Sequence, residues 1–534
     1  MNRHRALLPV GLGTVALAAL LAPLSAAPAA ARPTTARVDL PPPPRPVTVG
    51  EFRTDAYLRS IDGNPGLQRD FFRHLPKGAD LHNHLSGAVA TEYLLQLAAE
   101  DGLCIDTATM TAVQPPCGPG TRPAADTRTD PAFRQAVIRA WSMQDFPPDQ
   151  SGHDHFFATF GKFGAVTGNH RGKQLAQVAE GIVDQNQFYL ETMVTPASDG
   201  ARRLAAEVGW DSDLARLHSK LVAGGKLDKV VADARKEADD ADAEFRAEER
   251  CGTHRPRPGC RLTVRWISQV SRGTAPERVF TQIALGMRLA ERDGRFVAIN
   301  LVQPEDGEIA LRDYSLQMHM IAYLRTQYPH AHVTLHAGEL RPGLVKPEDL
   351  TFHIDEAVNV AHAERIGHGV DFVHENDWQA LGRTMAARQV AVEVPFSSNA
   401  QILGIKGAEH PFQTYRAYGV PIVLATDDPG VSRIDISHEY QYAHDTYALS
   451  YPRLKDVARA SIQYAFLRGA GLWRGNPTAI GYHPVAACQG DVLGAPVPSR
   501  RCRDLLASSP KAAVEWRQEA AFASFERAFR RNGA

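Results

Sequence analysis

Two histidines stand two residues apart in Asp80-Leu81-His82-Asn83-His84-Leu85, inside a run with the apolar spacing of a strand. Side chains alternate faces along a strand, so both imidazoles point the same way and make half of a metal site. Two later runs end in groups that complete it. Thr334-Leu335-His336-Ala337-Gly338-Glu339 closes on a His and a Glu, and Leu424-Ala425-Thr426-Asp427-Asp428-Pro429 closes on paired carboxylates. Three imidazoles and one carboxylate, from His82, His84, His336 and Asp427, suit zinc best, with iron or another divalent transition ion as alternatives. Such an ion makes a hydroxide nucleophile available near neutral pH. Glu339 lies three residues beyond His336, where it can face a substrate; its other reading is a loop carboxylate capping the next helix. His368, flanked by Gly367 and Gly369, is a base or an orienting group beside activated water, and a structural His without it. Asp428 adjoins the ligand Asp427 and is placed to meet water or substrate.

These groups converge only if the elements carrying them close on one another. Eight short apolar runs lie near residues 78–85, 187–194, 262–270, 295–303, 332–339, 365–370, 390–399 and 421–429, with helical stretches such as 91–100, 275–292, 315–327 and 376–388 between them. Repeated βα units of this kind predict an α/β fold, a (β/α)8 barrel of the TIM type with insertions and an N-terminal extension. Active sites of such barrels lie at the carboxyl ends of the strands, where the candidates fall. First and eighth strands are neighbours in a closed barrel, so His82, His84 and Asp427 would be adjacent, with His336 across the mouth.

The expected organisation is a signal peptide over 1–31, an extended arm and helix over 32–75, a barrel over 76–505 and a C-terminal helix over 506–534. The arm holds Pro41-Pro42-Pro43-Pro44-Arg45-Pro46, which excludes helix, and a helical pattern runs from Asp55 to His74. Two insertions interrupt the barrel. Residues from about 101 to 135 read as a loop or small stapled subdomain, and about 226 to 260 as a charged, solvated helix leading into a cysteine loop. Phe156, Phe157, Phe160 and Phe163 lie at helical spacing and serve either as a lid over a flat ring or as core.

Arg3, His4 and Arg5 precede an apolar stretch to about Leu24, and Ala29-Ala30-Ala31 fits signal-peptidase cleavage, so the mature chain is expected to be secreted or periplasmic. No second stretch is long enough to span a membrane, so none is expected to hold the chain there after signal removal. The six cysteines fall in three close pairs, Cys104 with Cys117, Cys251 with Cys260 and Cys488 with Cys502. Exported chains use such pairs as local disulfides, with proximity the only guide to pairing. A net charge of -1 over 534 residues leaves no electrostatic footprint for nucleic acid or an anionic membrane, so the expected partner is a small molecule of low charge. The oligomeric state stays open.

The motifs Asp80-Leu81-His82-Asn83-His84-Leu85-Ser86-Gly87-Ala88, His336-Ala337-Gly338-Glu339, Arg365-Ile366-Gly367-His368-Gly369, Ser398-Asn399, His410-Pro411 and Thr426-Asp427-Asp428-Pro429, in this order, resemble the adenosine deaminase family of metal-dependent barrel hydrolases. The likeness runs from about Lys77 to Tyr440. Export, paired cysteines and the first insertion resemble its secreted, growth-factor-related branch. The resemblance implies one zinc ion per chain on His82, His84, His336 and Asp427, and hydroxide attack at C6 of a purine nucleoside. It further implies that His368 assists deprotonation and orients the nucleophile, that Glu339 gives a proton to N1, and that Asp428 bonds the ring or the water. Adenosine would yield inosine and ammonia.

Three departures bear on the substrate. Ser86 stands where many members carry an acid for the ribose 5′ hydroxyl, Gln303 takes the place of a glycine that approaches the purine, and Asn300 replaces a frequent Asp. A modified or differently substituted aminopurine is therefore open, as are a related barrel enzyme acting on another amine or amide and an extracellular nucleoside-binding or signalling protein with vestigial activity. The strand-end motifs bring no Arg or Lys cluster for a phosphate, although Arg433 follows the last of them.

Overall fold

A computed structural model describes residues 47–146 and 149–529; the expected signal peptide and proline-rich leader lie outside the described residues. The described chain begins with α1 (Val49–Ser60), started by a capping box between Thr48 and Glu51, and α2 (Pro65–His74), capped by the Asn64 side chain with proline in its first turn. The continuous helix expected over 55–74 is thus two helices. Pro65 cannot donate the bond that would carry the first helix through, and its fixed φ suits a new start.

Eight strands follow: β1 (Gly78–His84), β2 (Gln187–Val194), β3 (Thr263–Ser271), β4 (Phe296–Val302), β5 (His332–Ala337), β6 (Arg365–His368), β7 (Ala391–Val394) and β8 (Ile422–Leu424). Each pairs in parallel with the next. A parallel bridge between Asn83 and Asp427 joins the last to the first. There Asp427 N–H donates to His82 O at 2.9 Å and His84 N–H to Asp427 O at 3.0 Å, so the barrel closes through the candidate ligands themselves. Every residue of β1 is buried, as expected of a strand covered on both faces.

The expected runs match these strands, with two shortened ends. The run expected over 390–399 stops at Val394; Pro395 ends it, and Phe396 opens a helix instead. The eighth strand stops at Leu424, which leaves Asp427 and Asp428 in the turn beyond it.

The helices that matter to the site are α3 (Gly152–Thr167), α4 (Arg171–Asp184), α5 (Lys226–Glu248), α6 (Phe396–Leu403), α7 (Tyr451–Gln463) and α8 (Pro510–Ala528). The charged run is α5, and it is solvated on one face only. Leu227, Val230, Val231, Ala234, Ala238 and Ala241 form a buried stripe at helical spacing that packs toward α4. The first insertion forms a three-stranded antiparallel sheet with Cys104–Asp106 in its centre, stapled by a Cys104–Cys117 disulfide. Cys251–Cys260 and Cys488–Cys502 are the other two disulfides. The chain closes with α8 against α7, where Glu519 takes a two-pronged bond from Arg459 at 2.6 and 2.8 Å.

Candidate metal centre

His82 Nε2 lies 3.0 Å from His336 Nε2, and His84 Nε2 lies 3.2 Å from the same atom. Asp427 Oδ1 is 3.3 Å from His82 Nε2 and 3.1 Å from His84 Nε2. The far sides of the His82 and His336 rings identify these nitrogens. His82 Nδ1 is 2.6 Å from Glu393 Oε2, and the Asn300 oxygen accepts from both His336 N and His336 Nδ1 at 2.9 Å. Both partners only accept there, so the protons sit on Nδ1 and the Nε2 lone pairs face one another.

Facing lone pairs and a carboxylate oxygen repel unless positive charge lies among them. Burial alone would lower His82, yet Asp427 and Glu393 raise its pKa to about 10. Burial would likewise raise Asp427, yet His82 and His84 hold it well below the carboxylate range. A proton answers this demand at one nitrogen; a divalent ion answers it at all four groups. Donors about 2.0–2.1 Å from a tetrahedral ion stand about 3.3 Å apart, close to the spacings here. The residues fit the metal that the motifs imply.

Glu339 is buried at the mouth. Burial pushes its carboxyl well above the usual range, and the charges of Asp427 and Glu305 push further. The turn that carries it is clamped: Glu305 accepts from Gly338 N at 3.0 Å, from Glu339 N at 2.9 Å and from His353 Nδ1 at 2.6 Å. Against the cost of burial, His353 and Arg272 keep Glu305 below the usual range and therefore charged. Glu339 is thus an acid biased toward its protonated form and held in place by Glu305.

His368 is set by a relay. Phe412 N–H donates to His410 Nδ1 at 3.1 Å. The Asn399 amide stands between the two rings, its Nδ2 2.9 Å from His410 Nε2 and its Oδ1 2.8 Å from His368 Nδ1. His368 Nε2 has no hydrogen-bond partner among the described residues and faces Asp427 Oδ2 at 4.0 Å.

Asp428 is buried with no hydrogen-bond partner on Oδ1, and burial followed by the Asp427 charge raises its pKa well above normal. Two glycines make room around the centre. A Cβ on Gly87 would lie 1.7 Å from Asp428 Oδ1, and one on Gly367 would lie 2.6 Å from His82 Cε1. Gln303, His368 and Asp427, at or just beyond the ends of β4, β6 and β8, hold φ of 83°, 67° and 60°. Left-handed backbone at non-glycine residues costs energy and clusters at functional sites.

The expected substrate-binding residues are less concentrated. Ser86 lies in the turn after β1 and is half-buried. Gln303 keeps the left-handed backbone expected of the glycine it replaces, and its side chain turns away to accept from Gly273 N at 2.9 Å. Phe156 is packed into the core with Phe163, while Phe157 and Phe160 are half-buried. The first turn of α3 is tied to the loop after β4 by His153 and Asp306 at 3.1 Å. Sequence reading missed Glu393, Glu305 and His353, and gave Asn399 and His410 no role. Only the presence of Asn399 and His410 in motifs signalled them.

Eight parallel strands closing on three histidines and one aspartate define a metal-dependent (β/α)8 barrel. Residues 156–471 match the family described as Adenosine deaminase, and the chain belongs to the adenosine deaminase family. The match starts downstream of β1, so the fold itself attaches His82 and His84 to it. The adenosine deaminase of Escherichia coli strain SE11 is 34% identical over 137 residues, 26% of this chain and 38% of the relative. The chain thus spans well under half the length of the curated relatives it matches. Arabidopsis ADAL complexed with IMP aligns at 21% identity and a TM-score of 0.48, covering 74% of this chain and 94% of that one. Adenine deaminase from Arthrobacter aurescens aligns at 16% and 0.45, over 74% and 94%.

Proposed function

We propose that the chain is an exported aminohydrolase that converts adenosine, or a closely related aminopurine nucleoside, to the 6-oxo product and ammonia. The observation that carries this reading is the buried Glu339 carboxyl, three residues beyond His336, beside four converging metal donors. Displacing an amine from an aromatic ring needs activated water and an acid together.

A zinc ion on His82, His84, His336 and Asp427 supplies, when bound, Lewis acidity that readies water at neutral pH. Glu339 holds a proton for the ring nitrogen next to the amine-bearing carbon, where protonation weakens aromaticity. His368, its Nδ1 bonded to Asn399 Oδ1, assists deprotonation of the incoming water and orients it through Nε2. Asp428, buried beside Asp427 with Oδ1 unpaired, bonds the ring or the water. The amine departs as ammonia once C6 carries both substituents. Phe160 and Ser86 are assigned to the base and the sugar, with Gln303 bordering the purine and Phe156 packing behind Phe160. A nucleoside is favoured over a nucleotide because Arg433 is already committed to Glu92 at 2.7 and 2.8 Å.

Three disulfides support export, since such bonds persist in oxidising compartments. Among the described residues no helix is long and apolar enough to cross a membrane. The test is turnover of adenosine, deoxyadenosine, adenine, adenosine monophosphate and N6-substituted adenosines, with metal content measured alongside. Glu339→Gln is expected to lower kcat by about 10²–10⁴-fold with the metal retained. Undiminished turnover in that variant, or activity on an unrelated amide alone, would defeat the proposal.

A further inference from the structure

On the other side of β1 from the metal donors, a cavity of about 400 Å³ lies between the barrel and α4. That volume is typical of a small-molecule site. Gln187, at the start of β2, lines it; the residue is 3% exposed, yet neither Nε2 nor Oε1 has a hydrogen-bond partner. Buried carboxamides are almost always paired, and an unpaired one is costly. Its donor and acceptor lie side by side, the complement of a lactam or nucleobase edge.

The remaining walls narrow the ligand further. Val178, Ile182 and Ile436 give apolar surface for the faces of a flat ring. The charged groups at the rim are satisfied within the protein: Arg433 by Glu92, and Asp435 by His438 N at 2.9 Å. Asn83 and Thr426, bonded to each other at 3.3 Å, form part of the wall. Asn83 separates His82 from His84, and Thr426 precedes Asp427, so the far end of the cavity reaches the segments that carry three of the four donors.

We propose that this cavity is an effector site for a neutral, planar heterocycle of nucleobase size bearing a lactam edge. It is separate from the barrel mouth and does not depend on the deaminase reading.

Calorimetric titration of the full metal-loaded chain with uracil tests it. One equivalent is expected to bind saturably, and excess unsubstituted purine riboside, which has no lactam edge, is expected not to displace it. Gln187→Leu keeps the size but removes both polar atoms; it is expected to weaken uracil at least about tenfold while melting no lower than the parent. Gly181→Phe is expected to abolish binding by filling the space, because a Cβ at Gly181 meets no atom within 4 Å. Saturating uracil is also expected to change the half-time of metal loss to a chelator by about fivefold or more. The proposal is overturned by absence of saturable binding, by binding that survives both folded variants, by displacement with purine riboside, or by equal half-times with and without uracil. None of these readouts is turnover, so a chain without deaminase activity still decides the matter.

Discussion

At the scale of the residue, two of the three imidazoles of the centre are held by a partner that accepts a hydrogen bond from Nδ1 and frees Nε2. Glu393 does this for His82 from 311 positions away and Asn300 for His336. Glu393 is itself charged: burial would raise it, but Arg365 and His82 bring its pKa to about 2. Glu393→Gln keeps an acceptor but loses that charge, and is expected to lower metal affinity about 10–100-fold, read by competition with a chelator. Unchanged affinity would show that the carboxylate only fills space. Gly87→Ala places a methyl where Asp428 Oδ1 stands, 1.7 Å from its centre. Displacing Asp428 should cost about 1–3 kcal/mol of stability and at least about tenfold in kcat/KM; a wild-type kcat/KM would remove Asp428 from the mechanism. The ligands were legible because they sit in short motifs. Their orienting partners were not, because nothing local in sequence marks a residue that acts across the barrel.

Elements show a different pattern of success and failure. The eight apolar runs were visible because parallel strands buried on both faces are almost wholly apolar. The end of β7 was misread because Phe396, Ser397, Ser398 and Asn399 suit strand or helix equally, and tertiary packing settles such short segments. Helix α6 then supplies what a strand could not: Ser398 donates to Asp427 Oδ2 at 2.6 Å while Asn399 faces His368. In α5 the density of charge concealed a buried stripe. Ala238 is fully buried, whereas the Lys236 side chain is three-quarters exposed in its pair with Asp240. Ala238→Glu is therefore expected to destabilise the fold by about 2 kcal/mol or more, and Lys236→Ala by less than about 0.5 kcal/mol, both measured by denaturant unfolding. Equal effects would mean that α5 is solvated all round.

The whole molecule couples the barrel to its C-terminal closure. Glu515, on α8, accepts from Leu472 N at 2.5 Å, and burial raises its pKa to about 7. The folded state therefore binds a proton that the unfolded chain releases between about pH 4.5 and 7, so this contribution is complete below about 4.5 and fades as pH rises to about 7. Between those limits the parent should lose up to about 3 kcal/mol relative to Glu515→Gln, whose amide does not titrate. Parallel stability curves for the two proteins across that range would contradict a buried, protonated Glu515.

By itself the sequence determined the number and order of the strands, the residue types at their ends, the proximity of the cysteines and the family likeness. Hydrophobic period, strand-end position and motif chemistry are all local properties of the chain. Only the tertiary structure decided where protons sit, which carboxylates are charged, and which unpaired groups line a second cavity. Those depend on burial and on distances between residues hundreds of positions apart, and no local pattern of side chains encodes them.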